Sequence, residues 1–146
     1  MALFERFRTA KRDDAELGQG VWRRAHDRFR RGLDRFHQML EGVQDEQLHE
    51  ELAPIANELA DLLPRVRSLC RRAHTASPSD GLNIPAGSFA AIHRELTRAG
   101  NALATAAEAV AMVRLEELAP DAVVRRAAQV VEHVIAAEAL MPTDNS

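Results

Sequence analysis

Apolar residues recur every three or four positions along four separate stretches, and that rhythm restricts the chain to helices packed side by side. The first stretch carries Trp22, Phe29, Phe36 and Val43 at intervals of seven, joined by Ala25, Leu33 and Leu40. The second alternates steps of four and three through Leu48, Leu52, Ile55, Leu59, Leu62, Val66, Leu69 and Ala73. The third runs Phe89, Ile92, Leu96, Ala99, Leu103, Ala106, Val110 and Val113; the fourth is shorter, Val124, Ala127, Val131 and Val134, with Ile135 alongside. Such steps place side chains on one helical face, and sustained heptads suit the shallow crossing of a bundle. The absence of Tyr and the wealth of Ala, Leu, Glu and Arg favour helix and starve a sheet of its usual residues. The expected fold is therefore all-α, an up-and-down antiparallel four-helix bundle in one domain of 146 residues.

Breaks between the stretches set the expected boundaries: helices over about 14–42, 45–74, 86–117 and 120–140, with one long loop at 75–87 and a fraying tail at 142–146. Gly42 is placed to close the first helix, Asp45 to cap the second and Pro120 to open the fourth. Pro54 and Pro64 interrupt the second stretch without shifting its apolar phase. That predicts either one helix kinked by its prolines or a short helix followed by a longer one. Residues 1–13 form a short N-terminal segment in which Leu3, Phe4 and Phe7 share one side of a helix, with Arg6, Lys11 and Arg12 available to the other. This is a small amphipathic pattern suited to a membrane surface or, on the simpler reading, to packing onto the bundle or a second chain.

A net charge of −3 does not mark a nucleic-acid binder, and neither exposed aromatics among the basic residues nor a known binding motif accompanies them. The charge is nonetheless polar along the bundle. Arg23, Arg24, Arg28, Arg30, Arg31 and Arg35 on the first helix lie level with Arg65, Arg67, Arg71, Arg72 and His74 on the second if the two form an antiparallel hairpin. His93, Arg94 and Arg98 join them at the start of the third helix. Residues 41–61 carry seven acids and no Lys or Arg, making the other pole acidic. A basic pole fits either a solvated surface of paired charges or a site for an anion. The residues that would serve such a site are His26, Arg24, Arg28, Arg31, Arg72, His93 and Glu138, the last placed by helix counting opposite residue 24 and within reach of His26 or an Arg.

Catalytic chemistry is thin. The single cysteine, Cys70, rules out an internal disulfide and a thiolate zinc site, and it falls on an apolar face. Glu46-Gln-Leu-His49 is a lone Glu-x-x-His, where a di-metal site needs two and further carboxylates. No catalytic triad, phosphate loop or dinucleotide fingerprint is present. The expectation is a non-catalytic cytoplasmic bundle without cofactor or metal, lacking both a signal-peptide core and a membrane-spanning run. It would act by binding a protein partner, with a homodimer as the leading form; leftover apolar residues such as Leu63, Met112, Leu115 and Leu118 motivate this. The other readings are a small-ligand or anion-binding protein and a peripheral membrane protein held by residues 3–12.

Overall fold

Two glycines decide where the first helix stops. Gly18 adopts φ +70, which a side chain resists, and Gly20 leaves the helical region just before Val21. Residues 14–17 therefore end a separate N-terminal helix rather than beginning the first bundle helix, correcting the expected boundary at 14. The computed structural model describes residues 2–81, 83 and 85–143. Its helices are α1 (Ala2–Leu17), α2 (Val21–Glu41), α3 (Glu46–Ala76), α4 (Ser88–Arg114) and α5 (Asp121–Leu140), with no strand among the described residues. Met1, the loop positions Leu82 and Ile84, and residues 144–146 of the expected fraying tail lie outside the described residues.

Capping follows local chemistry. Asp45, in extended conformation, accepts a hydrogen bond from the Leu48 N–H at 3.1 Å and so starts α3. Of the two forms the prolines allow, the chain adopts a single helix of 31 residues. Pro54 and Pro64 both face solvent, where water can satisfy the carbonyls they leave without a donor.

Helices α2 to α5 surround one apolar core. Trp22, Phe29 and Phe36 of α2 are fully buried where α2 packs on α4, whose Ala99, Ala106 and Ala107 are buried as well. Large-to-small replacement at any of these aromatics removes about 3–5 kcal/mol of stability. The packing departs from the expected neighbour order. Helix α2 packs on α3 and α4, α4 on α5, and α5 on α3, which leaves α3 and α4 on a diagonal. Trp22 meets Phe89 and His93, and Gly42 meets Arg114, so α2 and α4 run in the same direction. Arg65 meets Glu138 and Arg72 meets Pro142, so α3 and α5 run together. Directions alternate along the chain, yet the connection from α3 to α4 joins two helices that lie on a diagonal. Its length makes that possible, whereas the short turns at 42–45 and 115–120 hold neighbours antiparallel.

The register of α5 is a second correction. Val123, Ala127, Val130, Val134 and Ala137 are buried, while Val124 and Ile135 are exposed. Ala127 and Val134 are buried as expected and Val131 packs partly against the core, but of the paired valines at 123–124 and 130–131 the fully buried members are Val123 and Val130.

Candidate functional site

The elbow between α1 and α2 is held by a strap made of the start of the long loop. Ser79 Oγ accepts from the Val21 N–H at 3.1 Å, and the Ser77 carbonyl accepts from Trp22 Nε1 at 2.9 Å. Arg24 donates to the Gly81 carbonyl at 2.7 Å, and the Ser79 N–H donates to His74 Nδ1 at 3.3 Å. A Cβ on Gly20 would collide with the Ser79 backbone, and one on Gly18 with the His74 ring. The two glycines thus permit a close approach that fixes where α1 leaves the bundle.

The last turns of α1 are tied down by charge. Asp13 is 2 % exposed, with Arg67 Nη1 at 2.7 Å and Arg30 and Arg23 at 3.8 and 3.9 Å. Asp14 pairs with Arg23 at 2.6 Å, and Glu16 with Arg67 at 2.8 Å. Hydrogen bonds from Arg67 and Arg12 hold the Glu16 carboxyl below its ordinary range. Burial lowers the Arg67 pKa, but bonds to Asp13 and Glu16 outweigh it and raise the guanidinium above its ordinary value. The acidic end of α1 thereby occupies much of the basic pole.

Beyond Asp13 the helix stands clear. Residues 2–12 are all exposed, and a cleft of about 410 Å³ separates Glu5, Arg6 and Thr9 from Arg23 and Arg30 of α2. On the side away from the bundle, Leu3, Phe4 and Phe7 are 79 %, 68 % and 60 % exposed and line one apolar hollow. Lys11 Nζ lies 5.3 Å from the centre of the Phe7 ring. Packing of these three residues onto the bundle, the simpler expectation, is not what the chain does.

The residues singled out for an anion site are dispersed, and most are engaged. His26 is buried, and its Nδ1 donates to Asp27 at 2.9 Å. Burial lowers its pKa, only partly offset by that hydrogen bond. Arg24 is used by the strap, Arg28 bonds Asn101, and Arg72 donates to the Pro142 carbonyl at 3.3 Å. Arg31 is exposed with no side-chain partner among the described residues. His93 lies edge-on to Trp22 at 5.8 Å, its pKa lowered by burial and by the charge on Arg24. Of the two partners expected for Glu138, it takes an arginine, accepting from Arg65 Nε at 3.0 Å rather than facing His26. Cys70 is fully buried, and burial pushes its thiol up to about 12, which keeps it protonated. Among the described residues no three His, Cys, Asp or Glu side chains are arranged to hold a metal ion, the Glu46/His49 pair included. Among the described residues no helix is long and apolar enough to cross a membrane.

One surface escaped sequence reasoning. Where α3 begins, the turn between α4 and α5 closes a cleft of about 520 Å³ lined by Asp45, Glu51, Glu116 and Glu117 around Leu48 and Leu118. The acid run at 41–61 pointed to this end, but the contribution of residues 116–117 depends on how α4 packs.

Comparison of the chain with family models, with curated proteins and with solved structures found no match.

Proposed function

We propose that this protein is a non-catalytic helical protein that works by protein–protein interaction, with itself as first partner. In this reading α2–α5 form a four-helix bundle that serves as a rigid base, and α1 is the arm that engages. The observation that carries the proposal is the exposure of Leu3, Phe4 and Phe7 on a helix whose other end is anchored by Asp13, Asp14 and Glu16. A helix held at one end and apolar at the other is organised to meet something outside its own fold. Burying three such side chains contributes about 1.5–3 kcal/mol each, enough to drive association if the partner surface is preformed.

The anion-binding reading is not advanced, because Arg24, Arg28 and Arg72 already have partners and His26 is buried. Arg6, Arg8 and Lys11 on the arm do favour an anionic membrane surface as the second reading. Three bulky apolar residues alone hold a membrane only weakly, so the protein partner comes first. We place the protein in the cytoplasm on the same reading.

Light scattering on the eluting full-length chain tests this. The expected result is an assembly larger than one chain that returns to monomer in Phe4→Glu/Phe7→Glu. A wild-type chain that stays monomeric at every concentration up to the millimolar range removes self-association.

A further inference from the structure

We infer that the outward face of α1 docks into the acidic cleft of a second copy, joining molecules head to tail. The inference rests on the self-association reading and names the surface that receives the arm.

Charge complementarity selects the occupant. The arm presents Leu3, Phe4 and Phe7 with Arg8 and Lys11, neither cation being paired with a carboxylate among the described residues. The cleft offers the reverse. Asp45, Glu51, Glu116 and Glu117 line it, no Lys or Arg does, and none of the four carboxylates is ion-paired among the described residues. Elsewhere the strongest basic surface is already neutralised: Arg23, Arg30 and Arg67 by the end of α1, and Arg65 by Glu138. The cations of the arm and the carboxylates of the cleft are thus opposite charges left open on one molecule.

The apolar parts match as well. Leu48 and Leu118 contribute to the lining, and Leu115, 63 % exposed, belongs to the same α4–α5 turn. An apolar strip flanked by cations meets apolar side chains rimmed by carboxylates. Desolvation then favours contact, while the charges set orientation and register.

Geometry dictates the form of the assembly. The arm leaves the bundle where α2 begins, and the cleft lies where α2 ends, 21 residues or about 30 Å along the helix. Donor and acceptor are different surfaces, so one contact leaves an arm and a cleft open. It propagates as an open chain or closes into a ring, the smallest of which is a reciprocal pair.

Two exposed double variants test the inference: Phe4→Glu/Phe7→Glu, which retains the cleft, and Glu51→Lys/Glu117→Lys, which retains the arm. Circular dichroism and thermal melts verify that both keep the fold. Native mass spectrometry and light scattering are expected to show wild-type assemblies that grow with concentration and shrink with salt. Each variant alone should associate at least tenfold more weakly, and an equimolar mixture should restore a one-to-one heterodimer and nothing larger. That restoration is specific to an arm seated in the cleft of another copy. If Glu51→Lys/Glu117→Lys assembles like wild type while the arm variant does not, the cleft assignment fails and the interaction reading survives. If wild type is monomeric yet binds vesicles of phosphatidylserine and phosphatidylcholine through Phe4 and Phe7, both fail and the arm serves a membrane.

Discussion

The Asp13 carboxylate of α1 meets the Arg67 guanidinium of α3 at 2.7 Å, with Asp13 almost fully enclosed. Removing the charge leaves Arg67 with Glu16 alone and releases Arg23 and Arg30 from a shared acceptor. Loss of one partner of a buried pair is severe when the other is stranded, but Arg67 retains Glu16 and some solvent access, so the effect falls at the lower end. Asp13→Asn is expected to cost about 1–2 kcal/mol in urea unfolding. It should also raise hydrogen exchange across 2–17 while leaving α2–α5 protected. Unchanged exchange in α1 would show that the ion pair does not hold the arm.

His26 sets a pH dependence. Burial holds its folded pKa below the ordinary 6.5, and His93 is lowered in the same way by burial and by Arg24. The groups facing His26 are Asp27, Asp13, Arg67 and Cys70. Below about pH 6.5 the unfolded chain binds protons that the folded chain does not, so stability falls with pH until the folded values are passed. Burial raises the Asp27 carboxyl, but hydrogen bonds from His26 and Arg23 outweigh it and hold it below its ordinary value. A second decline therefore follows at more acid pH. Denaturation midpoints between pH 7.5 and 5 should fall in wild type and fall less in His26→Gln. Parallel profiles would remove His26 as the cause.

Cys70 works in the alkaline direction. With its folded pKa pushed up to about 12, chiefly by burial, it contributes fully below the unfolded value near 9. That stability is lost as the unfolded thiol ionises between there and pH 12. The native thiol is expected to be inert to an aromatic disulfide reagent at pH 8 and to react fully in denaturant. Cys70→Ala should flatten the loss above pH 9. Rapid labelling of the native protein would contradict the enclosed position.

Much of this architecture is legible in the residues, and what is not has a physical reason. Trp22, Phe29 and Phe36, the Leu52–Ala73 stripe and the Ile92–Val113 stripe each offer one unambiguous apolar phase, and each is buried as its spacing requires except for the half-buried Ile55. Val124 and Ile135 misled because each has an apolar neighbour one position earlier that is the one buried. Gly18 and Gly20 fall in a stretch that otherwise reads as helix, and only the strap makes them a break. The diagonal placement of α3 and α4 is invisible because a long connection allows more than one arrangement. For the same reason, the pairing of Asp13 with Arg67 and the placement of Asp45 and Glu117 along one cleft appear only once the helices are placed. The shared face of Leu3, Phe4 and Phe7, by contrast, is evident from their own spacing, though not that it stays clear of the bundle.

Gly20 offers a direct test of the strap. A Cβ there meets backbone, which cannot rotate away as the His74 ring beside Gly18 can. Gly20→Ala is expected to lower stability by about 1–3 kcal/mol, the range for an overpacked site. Because Trp22 donates to Ser77 in the strap and is the only tryptophan, its fluorescence should shift to the red as the loop lifts. An unshifted emission with full stability would mean that the elbow tolerates a side chain.

Glu116 holds a conformation that costs it energy. Its φ of 61 places a glutamate in the left-handed region after α4, where the Glu117 N–H closes back on the Met112 carbonyl at 2.9 Å. Glycine is the residue this geometry favours, and a side chain there carries a penalty of about 1 kcal/mol. Glu116→Gly is therefore expected to raise the unfolding free energy by up to about 1 kcal/mol. The same change removes one of the four carboxylates of the cleft. If the cleft receives the arm of a second copy, this variant becomes more stable and associates less, a pairing that a purely structural role for Glu116 does not produce. Melting temperature and light scattering on one sample read both quantities. Greater stability with unchanged assembly would leave the strain explained and take Glu116 out of the docking surface.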